Sequence, residues 1–157
     1  MSTDISDKAA LGSASTRPRL LLVEGQTARR LTWIASLRHR FDVLGVEEGE
    51  DPARVARAQR PEIILVSAEG AEVEDAIRLA HRLKTGPMPP CLGLICPGRG
   101  RPSPEQALRR TQADGYLGGD VTPQRVLDWA LRLRRGEHVI EDLPLPPRNP
   151  LRRLWGA

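Results

Sequence analysis

The stretch RPEIILVS, Arg60 to Ser67, runs four apolar residues without interruption, Ile63 to Val66, between a charged start and a small polar end. Continuous apolarity suits a strand covered on both faces, as in a parallel sheet flanked by helices, whereas a half-exposed strand would alternate. Working outward, the same texture recurs at Arg19 to Val23 (RLLLV), Phe41 to Val46 (FDVLGV), Leu92 to Cys96 (LGLIC) and Gly115 to Leu117 (GYL). With Glu62 to Val66 these make five expected strands.

Amphipathic stretches separate them. Leu31, Ile34, Ala35 and Leu37 supply a buried stripe for the first helix, and Val73, Ile77, Ala80 and Leu83 for the third. Asp51-Pro52, Ser103-Pro104 and Thr122-Pro123 each set a capping side chain before a proline suited to the first helical position. Ser103 with Gln106 also matches a capping box. Strands and helices in alternation predict an α/β fold, a doubly wound five-stranded parallel sheet with helices on both faces.

Composition divides the 157-residue chain in three. Residues 1–17 are rich in Ser, Thr, Ala and Asp and are expected to be disordered. Residues 18–136 carry the strands and helices. Residues 137–157 contain Pro144, Pro146, Pro147 and Pro150 and form a tail that cannot continue a helix. No apolar run approaches the ~20 residues that span a bilayer, and the acidic, polar start lacks the pattern of a secretion signal. Cys91 and Cys96 lie in an apolar run without CxxC spacing, so a reducing cytoplasm is expected and no zinc site.

The order and spacing of LLVEG (Leu21 to Gly25), RPEIILVS and ADGYLGG (Ala113 to Gly119) resemble the receiver domain of two-component response regulators, over roughly Pro18 to Gly136. The resemblance implies a receiver-like strand order, 2-1-3-4-5. It also implies an aspartate phosphorylated at the end of the third strand, with Mg²⁺ held beside it by an acidic pair after the first. A hydroxyl residue after the fourth strand and a lysine after the fifth would contact the phosphoryl group.

Laid onto this chain, the acidic pair becomes Glu24 and Gly25, the phosphoacceptor Ser67, the hydroxyl residue Ile95 or Cys96, and the lysine Gly119. Mg²⁺ wants several oxygen ligands, and two of three carboxylates are missing. With no lysine, nothing cationic at that position stabilises a phosphoryl charge. Ser67 lacks a histidine placed by motif to activate it. The expectation is a degenerate pseudo-receiver, with no catalytic residues, cofactor or metal. Tyr116 matches the switch aromatic and, without a hydroxyl partner, is expected to keep one rotamer.

Other candidates weigh less. Glu24, Glu69 and Asp120 could line the carboxyl edge as a rebuilt cation site, but solvated loop carboxylates are the preferred reading. Gly98-Arg99-Gly100 lacks the third glycine of a dinucleotide fingerprint. His39, His81 and His138 are scattered among surface-type residues.

Charge is distributed unevenly. Residues 99–112 hold four Arg and one Glu, and residues 122–135 four Arg and one Asp, so each is +3 and together they exceed the whole-chain +4. In receivers the fourth and fifth helices with the fifth strand form the usual dimer and partner surface. The expected partner-binding residues are therefore Arg109, Arg110, Arg125, Trp129, Arg132 and Leu133, with Leu154 and Trp155 of the tail. The expected role is a phosphorylation-independent adaptor or scaffold in bacterial signalling or cell organisation, partnered by protein, with a second copy bound through the fourth helix–fifth strand–fifth helix face among the candidates. Nucleic-acid binding through the same basic face is the alternative, with too few aromatics for a stacking platform.

Overall fold

A computed structural model describes residues 17–146; the segment before them and the tail residues Leu154 and Trp155 lie outside the described residues. The elements are β1 (Arg19–Glu24), α1 (Thr27–Leu37), β2 (Asp42–Gly45), α2 (Pro52–Gln59), β3 (Ile63–Ser67), a 3-10 turn (Gly70–Glu72), α3 (Val73–Lys84), β4 (Cys91–Pro97), α4 (Pro104–Thr111), β5 (Gly115–Gly119), α5 (Pro123–Arg134) and β6 (Ile140–Leu143). All strand pairs are parallel and the order is β2-β1-β3-β4-β5-β6. The sheet thus has the expected order, extended from five strands to six.

Uninterrupted apolar strands do bury both faces. On one side Leu20, Leu22, Ile63, Leu65, Ile95 and Leu117 meet Trp33 and Leu37 of α1 and Val126, Trp129 and Ala130 of α5. On the other, Leu21, Ile64, Val66, Leu92, Leu94 and Cys96 meet Ala76, Ile77 and Ala80 of α3 and Ala107 of α4. Each fully buried Leu or Ile contributes about 1.5–3 kcal/mol relative to exposure. The three proline-headed helices start where expected. Asp51 accepts from the Ala53 amide, Ser103 from that of Gln106 and Thr122 from that of Arg125. No helix of the described residues is long and apolar enough to cross a membrane.

Three expectations are corrected. The buried face of α1 is Arg30, Trp33 and Leu37, while Leu31 is 59% exposed. The helix is turned so that Arg30 can donate to the Glu24 carbonyl, 3.1 Å away, and Trp33 can enter the core.

Trp129 and Leu133, expected as partner anchors, are each 1% exposed. They are buried because Gly93 on β4 and Gly115 on β5 open a trough in the sheet. A Cβ at 93 would strike the Trp129 ring, and one at 115 would come 2.6 Å from Leu133. Glycine inside a strand marks such a close approach.

The chain after α5 forms a strand. Gly136, at φ +90°, turns it out of the helix. The Val139 carbonyl then accepts from both the Trp129 indole and the Tyr116 amide at 3.0 Å, aligning β6 on β5.

Candidate functional site at the carboxyl edge of the sheet

Parallel strands end at one edge, so their terminal residues become neighbours. Glu24 is in register with Ser67, Ser67 with Ile95, Cys96 with Gly118 and Pro97 with Gly119. The strand register therefore brings the expected site residues together, with Gly25 exposed just beyond β1.

Glu24 is 3% exposed, not a solvated loop carboxylate, because its oxygens have partners within the chain. The Ser67 hydroxyl donates to Oε1 at 2.6 Å and the Gln26 amide to Oε2 at 2.8 Å. One Arg29 nitrogen lies 3.7 Å from Oε1 while the other bonds Glu69 at 2.6 Å. Arg29 also sits 5.8 Å from the Trp33 ring centroid, one helical turn on. A guanidinium thus bridges two carboxylates at the end of the sheet. Such charge-assisted bonds are stronger than neutral ones.

Ser67 spends its proton on Glu24, and a cation entering between Glu24 and Glu69 must displace Arg29. Among the described residues no group of three or more His, Cys, Asp or Glu is placed to hold a metal ion. Asp120 forms no ion pair with Arg29 among the described residues, and its amide donates to the Leu143 carbonyl at 3.2 Å.

The lysine position is closed by backbone. Gly119 adopts φ +89°, and a Cβ there would collide with the Leu143 carbonyl of β6. Arg101 covers the same spot, one nitrogen 3.2 Å from where that Cβ would be. It bonds Asp142 and the Gly98 carbonyl, each at 2.7 Å. Gly98 and Gly100 of the Gly98-Arg99-Gly100 stretch have positive φ and belong to the loop between β4 and α4.

Cys96 and Tyr116 are buried beside it. Burial pushes the Cys96 thiol up to about 12, so it remains protonated near neutrality. Burial also raises the Tyr116 phenol, whose hydroxyl donates to the Pro102 carbonyl at 2.8 Å. The aromatic ring lies wholly inside the fold.

The basic helices do not form one face. Packing of α4 against α3 and of α5 against α1 sets them on opposite sides of the sheet, and β6 lies along the outer edge of β5 between them. Much of their charge is also paired. Arg110 grips Glu74 with two bonds, 2.6 and 2.7 Å, which lowers the Glu74 pKa. Arg132 bonds Glu137 and Glu141 at 3.0 Å, and Arg132 with Arg135 lowers Glu137. Arg109 and Arg125 remain exposed, with no ion pair among the described residues. The histidines are exposed.

Sequence reasoning missed Arg29 and Arg101. Arg29 lies five residues beyond Glu24, in the first turn of α1, but nothing in its neighbourhood distinguishes it from the other 21 arginines. Arg101 acquires its role only through β6.

No family model matches the chain, and no curated protein does. Solved structures do resemble it. A LuxR family DNA-binding response regulator from Silicibacter pomeroyi is 22% identical with a TM-score of 0.61, over 83% of this chain and 98% of that one. The signal receiver domain of a modulated diguanylate cyclase from Desulfovibrio desulfuricans is 27% identical with a TM-score of 0.61, over 76% and 95%. A response regulator from Thermotoga maritima is 14% identical with a TM-score of 0.61, over 76% and 98%. The fold is that of a receiver domain.

Proposed function

We propose that this chain is a pseudo-receiver, a protein-interaction adaptor or scaffold in bacterial signalling that works without phosphorylation. One observation carries the reading. Where receivers hold metal and phosphoryl group, Glu24 is bonded by Ser67, Gln26 and Arg29 from its own chain. Closure of the lysine position by Leu143 supports it. Ser67 stands at the strand end where receivers carry the phosphorylated aspartate, so recognition is assigned to the surface.

On the two basic helices, Arg109 of α4 and Arg125 of α5 are exposed and form no ion pair among the described residues, so they are the charges those helices would offer an acidic partner. Rim charges of this kind act on encounter rate and specificity. The placement of the two basic helices on opposite sides of the sheet, with β6 between them, supports a protein partner over a nucleic acid read by one basic face.

The test is capture of partners from the source cytoplasm by wild type and by Arg109→Glu and Arg125→Glu, made separately, with and without acetyl phosphate. The reading predicts the same partner at equal yield with or without acetyl phosphate, and its loss in one variant. Capture that appears only after acetyl phosphate treatment contradicts it.

A further inference from the structure

The open end of the sheet carries a pattern that the site does not use. Among the described residues no strand pairs with the outer edge of β6. The Tyr116 amide bonds the Val139 carbonyl and the Asp120 amide that of Leu143. By the alternation of a sheet ladder, the N–H and C=O of Ile140 and Asp142 then point outward.

The side chains divide between the two faces. Leu143 packs on the α1/α5 core, and Glu141 on the same face bonds Arg132. On the other face Asp142 bonds Arg101 and Ile140 is 53% exposed.

The sequence contains a complement to this strand. β6 reads Ile140-Glu141-Asp142-Leu143, and beyond the described residues the chain reads Leu151-Arg152-Arg153-Leu154. Laid antiparallel, Ile140 faces Leu154, Glu141 faces Arg153, Asp142 faces Arg152 and Leu143 faces Leu151. Each face of the sheet would gain one apolar pair and one opposite-charge pair, the combinations that stabilise cross-strand neighbours. Ile140–Leu154 and Asp142–Arg152 fall at the two hydrogen-bonding positions. Pairing β6 with another β6 would instead oppose Glu141 and Asp142, which repel.

We infer that the outer edge of β6 receives the segment Leu151–Leu154 of a second copy of this chain, reciprocally, in a two-fold dimer. The route of the chain favours a second copy over the same one. The Pro146 carbonyl accepts from Arg99 at 3.2 Å, which ties the last described residue of the chain to the loop after β4. Only four residues remain before Leu151, two of them Pro147 and Pro150. Proline-rich chain runs extended at ~3.1 Å per residue and resists the reversal that a return to its own β6 requires. Reciprocal exchange closes the assembly at two copies.

Sedimentation equilibrium of the full chain, of a chain ending at Pro146 and of Arg152→Asp tests this, with circular dichroism as the folding control. The expected result is a dimer for the full chain, a folded monomer after truncation, and dimerisation weakened about tenfold by Arg152→Asp. Arg152→Lys, which keeps the charge, should retain the dimer. A truncated chain that dimerises as well as the full one overturns the inference, and so does an Arg152→Asp chain that dimerises undiminished. A monomeric full chain whose Ile140 and Asp142 amides exchange faster after truncation also overturns it, assigning the segment to its own chain.

Discussion

At the end of β3 a single hydroxyl decides what the site can do. Ser67 donates to the buried Glu24 at 2.6 Å, so placing an aspartate there sets two buried carboxylates in contact. Ser67→Asp should lose about 3 kcal/mol, the scale of an uncompensated buried charge, in urea unfolding. It should gain no phosphate from acetyl phosphate by intact mass.

Cys96 and Tyr116 set a second expectation. Both hold their protons more tightly folded than unfolded, so the native state binds more protons in alkali. Their contribution is complete below pH 9, the ordinary thiol value, and declines toward about 12, the folded value for Cys96. Denaturant midpoints should therefore fall from pH 8.5 to pH 10.5, and Cys96→Ala should flatten part of that fall.

At the scale of elements, β6 is accommodated by what lies beneath and beside it. Gly93→Ala pushes a methyl into the Trp129 ring and should cost about 1–3 kcal/mol, typical of overpacking, with a change in tryptophan fluorescence. Gly119→Lys, which restores the lysine of working receivers, forces a side chain against the Leu143 carbonyl at φ +89°. It should detach β6 and speed hydrogen exchange at Ile140–Leu143; unchanged exchange would show that the backbone accommodates it.

The sequence made the first five strands and the capped starts of α2, α4 and α5 legible, because apolar runs and cap–proline pairs are local signals. It hid β6, a four-residue strand with two acidic residues after a glycine turn. It also hid the burial of Trp129, since Arg-rich neighbours suggest an exposed face. Gly93 and Gly115 were the available clue, two glycines inside apolar strands.

At the scale of the whole molecule, the site and the sheet edge are linked. Strand order and register place Glu24, Ser67, Cys96 and Gly119 at one edge, and that grouping followed from the sequence. Its electrostatics did not, because Arg29 reaches the edge from α1 and Arg101 is fixed there by Asp142 of β6. The added strand sets the Leu143 carbonyl against Gly119 and covers the outer edge of β5, so the edge site and the sixth strand share one piece of backbone.

The most direct test is an amide ¹H–¹⁵N titration with Mg²⁺ and beryllium fluoride, a phosphoryl mimic. Satisfaction of Glu24 from within the chain predicts no saturable shifts at Glu24, Gly25, Ser67, Gly98 or Gly119 at millimolar reagent. Saturable shifts confined to those amides would show a working phosphoryl site and contradict the account.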